Sequence, residues 1–243
     1  MAALTGRDLL AVWEECQGLP PVECALTLAS VVLPQSTWDE LAGLTVGQRD
    51  GLLLELRESL FGPGMTVYEE CPGCRQRLEF TLDARQLRAV APAPPPAENT
   101  LSFQGIQVRY RLPSSADLAA VSALPSVESA RDELLRRCVL EARDAQGPVR
   151  VADLPAQAVA ALEDQMEADD PLAELRFDLS CPQCGHAWWA LLDMGAFLWS
   201  EVTAQARRLL YEVHLLARRY GWREMDILGM SGRRRQYYLE MAV

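Results

Sequence analysis

The side chains with the most chemistry to offer are two cysteine pairs, Cys71-Pro-Gly-Cys74 and Cys181-Pro-Gln-Cys184. Two thiolates three residues apart on a tight turn can supply half of a tetrahedral metal shell or form a redox couple. Zinc takes four ligands and each pair supplies two, so two pairs of the same make combine most simply into one site. Cys71, Cys74, Cys181 and Cys184 are therefore the candidate ligands of one structural Zn2+ per chain. A redox pair would open a helix after a strand in a thioredoxin-like unit, and neither pair sits there. Metal-free, vestigial knuckles are the remaining alternative. His186, two residues past Cys184, reads as a strand residue because four cysteines already fill the shell.

The pairs are separated by 107 residues, from Cys74 to Cys181. Closing a loop of about 100 residues costs roughly 4–5 kcal/mol of chain entropy, whereas structural zinc contributes about 10–16 kcal/mol at neutral pH. Such a metal would pin the two halves of the chain together. A closed four-cysteine shell leaves no open position for a catalytic water, so the metal has no substrate.

Little else supports catalysis. None of the 23 basic residues is a lysine, which removes P-loop and Schiff-base chemistry. His186 and His214 are the only histidines, and Gly229-Met-Ser-Gly-Arg lacks the nucleophile-elbow spacing. Cys16, Cys24 and Cys138 lie among apolar residues and read as small buried hydrophobes. The chain is expected not to be an enzyme and to have no small-molecule substrate.

A net charge of -11 and an isoelectric point near 4.7 argue against a nucleic-acid partner. No apolar run is long enough to span a bilayer, and charges interrupt the start where a signal peptide needs an apolar stretch. A cytoplasmic protein without a membrane partner is expected.

The elements that must position the cysteines are legible in part. Thr5 with Asp8 and Thr45 with Gln48 form capping boxes ahead of helices that end at Gly18 and at Gly62-Pro63, and Pro21 opens a helix between them. Leu52, Leu53, Leu56 and Leu60 mark the buried face of the Thr45 helix. The period then changes to two: Leu78, Phe80 and Leu82 alternate beside the first pair, and Leu175, Phe177 and Leu179 lead into the second. Each pair is thus expected at the tip of a hairpin. Between them lie a proline-rich linker (91–98), a hairpin turning at Gln104-Gly105, and helices over 126–142 and 154–171, the last ending in a solvated acidic run.

Leu198, Val202, Leu209, Val213, Leu216 and Tyr220 trace a long amphipathic helix with Arg207, Arg208 and Glu212 facing water. Gly221 ends it, and two short helices follow, the second capped by Ser231. Residues 196–243 hold eight Arg against four Glu and one Asp, a net +3 in an otherwise acidic chain. Trp222, Met225, Ile227, Arg233, Arg234, Arg235, Tyr237 and Tyr238 are the candidate partner-binding residues there. The fold expected is α+β and mostly helical, with a small antiparallel zinc-ribbon-like sheet formed by the two knuckle hairpins and a helical C-terminal arm. Its segments are an N-terminal helical region (1–65), the knuckle module with its inserted hairpin and helices (66–195), and the arm (196–243).

The order "LTVGQRDGLLLELRESLFGPGMTVYEECPGCRQRLEFTLD", "VRYRLPSSADLAAV", "AELRFDLSCPQCGHAW" and "FLWSEVTAQARRLLYEVHLLARRYGW" resembles the baseplate hub and assembly protein family of T-even phages. It is more closely similar to the bacterial branch encoded with phage-tail-like contractile injection systems. The likeness runs from about Thr45 onward and is strongest at the knuckles and the Tyr220-Gly221-Trp222 segment. It implies a non-enzymatic role beside other tail, baseplate or hub proteins, in the finished particle or as an assembly factor. The C-terminal helices also look like those of tail assembly chaperones. The family's cysteine pairs carry over onto Cys71, Cys74, Cys181 and Cys184. Relatives place glycine after each pair's second cysteine; Gly185 fits and Arg75 departs. The alternative from another class is a zinc-ribbon regulator touching nucleic acid or polymerase through Arg207, Arg208, Arg218, Arg219 and Arg233 to Arg235.

Overall fold

The computed structural model describes residues 5–90 and 96–242; most of the expected linker, 91–95, lies outside the described residues. The fold is α+β, mainly helical, with small antiparallel sheets.

Local chemistry sets the N-terminal helices. Helix α1 (Gly6–Cys16) starts at the Thr5–Asp8 capping box and α2 (Pro21–Ser30) at a proline in its first position. A helix not expected from the pattern, α3 (Trp38–Gly43), is opened by a third such box, in which Thr37 and Glu40 satisfy each other's backbone amides. Helix α4 (Val46–Phe61) follows Thr45 and stops at Gly62, whose φ of 83° favours glycine. The expected single apolar face of α4 is too narrow a description. Leu53, Leu54 and Leu56 are all fully buried, and so are Arg49, Asp50 and Arg57, because neighbours enclose the helix on several sides. Each buried charge is paired: Arg49 Nε lies 2.7 Å from Asp50, and Arg57 grips Glu201 through two nitrogens at 2.9 and 3.0 Å.

Strands β1 (Gly64–Glu70) and β2 (Arg77–Asp83) form the first hairpin, and Asp83 caps the short helix α5 (Ala84–Ala89). Strands β3 (Asn99–Phe103) and β4 (Ile106–Tyr110) pair across Gln104-Gly105, whose φ values of 47° and 84° make the mirror-type turn that matches strand twist. Helices α6 (Ser115–Val121) and α7 (Val127–Cys138) follow. The helix expected over 126–142 ends early: Val139 begins a strand, β5 (Val139–Asp144), that pairs with β4 and is extended by β6 (Gly147–Pro148). Val139 and Ala142 face inward while Leu140 is exposed, so a buried strand position outweighs local helix propensity. Helix α8 (Ala156–Asp169) then leads to the second knuckle hairpin, β7 (Leu175–Ser180) and β8 (Ala187–Leu192). Helix α9 (Met194–Tyr220) spans about 40 Å, and α10 (Glu224–Leu228) and α11 (Gly232–Ala242) complete the chain.

Two cores result. The first joins α1, α2, α4, the bases of both knuckle hairpins and α9, with Leu28, Leu53, Met65, Met194, Leu198 and Leu209 at its centre. The N-terminal helices and the long C-terminal helix thus share one interior. The second core, Val108, Tyr110, Leu112, Leu135, Val139 and Leu162 among others, belongs to the segment inserted between the knuckles.

Polar contacts fasten one core to the other. Val46 N donates to Pro113 O (3.1 Å), and Gly47 N donates to Asp170 Oδ2 (2.9 Å) at the N-terminus of α4. The acidic run expected to be solvated is so at Glu167 but not at its end, where Asp170 turns inward. Asp170 is buried, its carboxyl pushed above the usual range by desolvation despite the Gly47 amide, and Asp169 accepts from the buried Tyr110 hydroxyl at 2.6 Å. Asp117, almost fully enclosed, receives Arg111, Arg137 and the Ser114 amide. Burial opposes its charge, but those donors hold its carboxyl well below the usual range.

Candidate metal centre

The two hairpins carry their cysteines on matching turns. At the first, Cys71 N donates to Gln76 O (3.0 Å) and Arg75 N to Cys71 O (2.8 Å). At the second, Cys181 N donates to His186 O (2.8 Å) and Gly185 N to Cys181 O (2.9 Å). The residue after each second cysteine takes a left-handed conformation, with φ of 61° at Arg75 and 71° at Gly185. Cys71 and Cys181 are buried and Cys74 and Cys184 exposed, so each knuckle offers one inner and one outer sulfur.

The knuckles face one another with a two-fold relation. Cys71 Sγ lies 3.7 Å from Cys184 Sγ and Cys74 Sγ 3.6 Å from Cys181 Sγ, and all four sulfurs fall within 4.8 Å of one another. A tetrahedral thiolate shell with metal–sulfur bonds of about 2.3 Å places its sulfurs about 3.8 Å apart. The four sequence-predicted ligands are thus brought together in a cluster that could hold a metal ion. Backbone N–H groups aim at the sulfurs. Burial opposes the Cys181 thiolate, but the Cys184 and Gln183 amides and the neighbouring thiols outweigh it and bring its pKa down to about 7. The Gln76 amide favours the Cys74 thiolate, yet desolvation and hydrogen bonds to the other three thiols push that group up to about 12. Four sulfurs this close cannot all ionise without a cation, so loading the cluster must expel protons.

His186 stands outside the cluster. It packs over Gly73, where an added Cβ would meet its Cβ and Cγ at 3.3 Å, and it stacks on Trp188 with ring centroids 6.0 Å apart. Gly73 therefore permits close approach of the knuckles rather than an unusual φ. The first core reaches both hairpins through Leu82, Phe177 and Leu192, and the Phe177 ring lies 6.2 Å from that of Phe80 across the facing hairpins.

The candidate partner residues separate into three groups, buried, half-buried and exposed. Ile227 is fully buried, and Arg235 is buried with its Nε 3.0 Å from Glu212 and its Nη1 donating to Met230 O at 2.6 Å. Neither can belong to an exposed surface, and Glu212, expected to face water, is the buried partner that draws Arg235 inward. Trp222 is half-buried, stacked on Tyr220 (4.5 Å, 17°) and edge-on to Tyr238 (4.7 Å, 80°), so the Tyr220-Gly221-Trp222 turn locks α11 back onto α9. Gly221 makes that turn with φ of 69°. Met225, Arg233, Arg234 and Tyr237 remain exposed.

Asp117, Asp170 and Glu212 are buried acids that carry long-range polar contacts, and sequence reasoning missed all three. Asp117 alone had a local signal, a Ser-x-x-Asp capping box from Ser114.

The model of the family described as T4 bacteriophage base plate protein matches residues 27–199. This chain belongs to that baseplate family. The match begins ahead of Thr45, within α2, spans both knuckles, the inserted core and the central part of the first core, and ends within α9; α1 and most of α9 lie outside it. The Tyr220-Gly221-Trp222 turn and the two last helices lie beyond it. Searches of curated proteins and of solved structures found no match. Membership of the baseplate family supports a phage baseplate component that works beside other baseplate or tail proteins. No helix among the described residues is long and apolar enough to cross a membrane.

Proposed function

We propose that this baseplate-family protein is a non-enzymatic structural or assembly component of a phage-tail-like contractile injection system, and that zinc held by Cys71, Cys74, Cys181 and Cys184 fixes its fold. The convergence of four sulfurs from two distant hairpins onto one tetrahedral spacing carries the metal reading. The donor set fits zinc: four thiolates are soft ligands, no carboxylate or imidazole joins the cluster among the described residues, and four thiolates fill a tetrahedral shell. When bound, zinc supplies charge neutralisation and a cross-link between residues on either side of the inserted core. The chain's own backbone amides orient the sulfurs.

The family match and the polar fastening of two cores into one body support a load-bearing or templating role over turnover. The regulator alternative loses one of its basic contacts, because Arg235 is spent on Glu212 inside the chain. Native mass spectrometry of the full-length tagged chain, purified from its own cells, tests both halves of the proposal. One zinc per chain with tail or baseplate subunits is the expected result. A metal-free chain recovered with DNA or polymerase would replace this proposal with the regulator.

A further inference from the structure

Two surfaces of this chain remain unused by the metal centre, and they complement one another. The first is a groove of about 530 Å³ between α8 and the α6–α7 pair. Its walls are apolar, with Leu118, Leu134 and Met166 half-buried and Val127 81 % exposed at the rim. It adjoins a second cavity of about 470 Å³ through Val46, Leu118 and Ala173. Five carboxylates line the groove: Glu163, Asp164, Glu167, Asp170 and Glu174. Among the described residues only Arg131, on Glu163, and Arg176, bridging Glu167 and Glu174, offset them, so the groove keeps a net negative charge.

The second surface is the outer face of α11. Arg233, Tyr237 and Met241 are exposed at successive i, i+4 positions, a stripe about 12 Å long. Arg233 lies over the Tyr237 ring at 5.9 Å, and Arg234 is exposed beside it. An apolar stripe edged with arginine is what an apolar groove edged with carboxylates accommodates. The stripe cannot serve the groove of its own chain, because α11 is held against α9 by the Tyr220, Trp222 and Tyr238 rings and no α10 or α11 residue lines the groove. Residues 196–243 carry +3 and the whole chain -11, which leaves -14 on the remainder. Both halves of the charge complementarity therefore belong to one sequence.

We infer that the α11 stripe of one copy seats in the α7–α8 groove of a second copy, giving a head-to-tail contact between identical subunits. Such a contact uses two different patches and so propagates, closing into a ring where the rotation allows. It goes beyond the zinc and injection-system readings and needs neither.

Charge reversal tests it on the full-length chain by sedimentation velocity. The wild type is expected to associate in a concentration-dependent way that weakens with salt. Arg233→Glu/Arg234→Glu and Asp164→Arg/Glu167→Arg alter only exposed residues. Each alone is expected to weaken association on the order of a hundredfold, through like-charge juxtaposition. Mixed one to one, the two variants regain complementary pairs at both contacts, so association returns. A wild type that stays monomeric at ~100 μM overturns the inference. So do variants that associate normally, and so does a mixture that fails to recover although each variant alone keeps the wild-type circular-dichroism spectrum and Tm.

Discussion

The two knuckles are near copies, and their differences are more informative than their likeness. Over residues 71–80 and 181–190 burial follows the same order position by position, and the four backbone hydrogen bonds correspond. Nine residues past each second cysteine an aspartate caps a helix: Asp83 accepts from Arg85 N (2.8 Å) and Asp193 from Ala196 N (2.9 Å). The copies diverge at three turn positions, Gly73 against Gln183, Arg75 against Gly185 and Gln76 against His186, and in the helix that follows, six residues in α5 and 27 in α9. The ligand geometry is therefore written in the backbone turn and the Cys-Pro-x-Cys spacing. The remaining turn residues answer to what each knuckle packs against.

The largest test of that equivalence removes one sulfur from each copy. Cys71→Ser and Cys184→Ser strike opposite hairpins but the same sulfur pair. If the knuckles share one zinc, both variants lose it and both surrender most of the about 10–16 kcal/mol that a structural site contributes. Bound metal by plasma mass spectrometry and thermal unfolding should fall together and equally in the two proteins, and chelation of the wild type should reproduce the effect. Retention of metal by one variant alone would show that the knuckles are independent. Full stability of both, beside a metal-free wild type, would end the structural-zinc proposal.

An intermediate effect separates the copies. Gly73→Ala places a methyl 3.3 Å from the His186 side chain and 3.6 Å from Cys184 Sγ, so the facing knuckle must shift. Overpacking of this kind costs about 1–3 kcal/mol. Gln183, the equivalent residue, is exposed, and Gln183→Ala is expected to stay within about 0.5 kcal/mol of wild type. His186→Ala in the Gly73→Ala background should recover part of the loss, as a double-mutant cycle would measure. Equal effects at 73 and 183 would mean that the knuckles do not meet as described.

The clustered cysteines and the knuckle hairpins were legible because their signals are local: a four-residue spacing, period-two alternation, capping boxes and a Gln-Gly turn. The family resemblance rested on the same segments. What was not legible depended on partners far along the chain. Val139 reads as helix until β4 is beside it, and Asp170 reads as solvated until it meets Gly47, 123 residues away. Glu212 and Arg235 each look like surface charges, and only the return of α11 onto α9 makes them a buried pair. In each case a long-range contact overrode a sound local expectation.

The smallest effect probes Arg75, where the first knuckle lacks the glycine that the second has at Gly185. The structure keeps the left-handed turn at Arg75 despite the missing glycine, because Arg75 N must still reach Cys71 O. A left-handed conformation costs a non-glycine residue about 1–2 kcal/mol, while glycine costs roughly 0.5–1 kcal/mol of extra backbone entropy on folding. The Arg75 side chain is exposed and has no ion-pair partner among the described residues, so its loss removes little. Arg75→Gly should therefore stabilise by about 0.5–1 kcal/mol, a rise of roughly 1–4 °C in Tm for a chain of this size. Gly185→Arg should move the second knuckle the same distance in the opposite direction, and the double exchange should leave Tm close to wild type. Loss of stability on Arg75→Gly would mean that the arginine itself holds the first turn, and the two knuckles would then keep one geometry by different means.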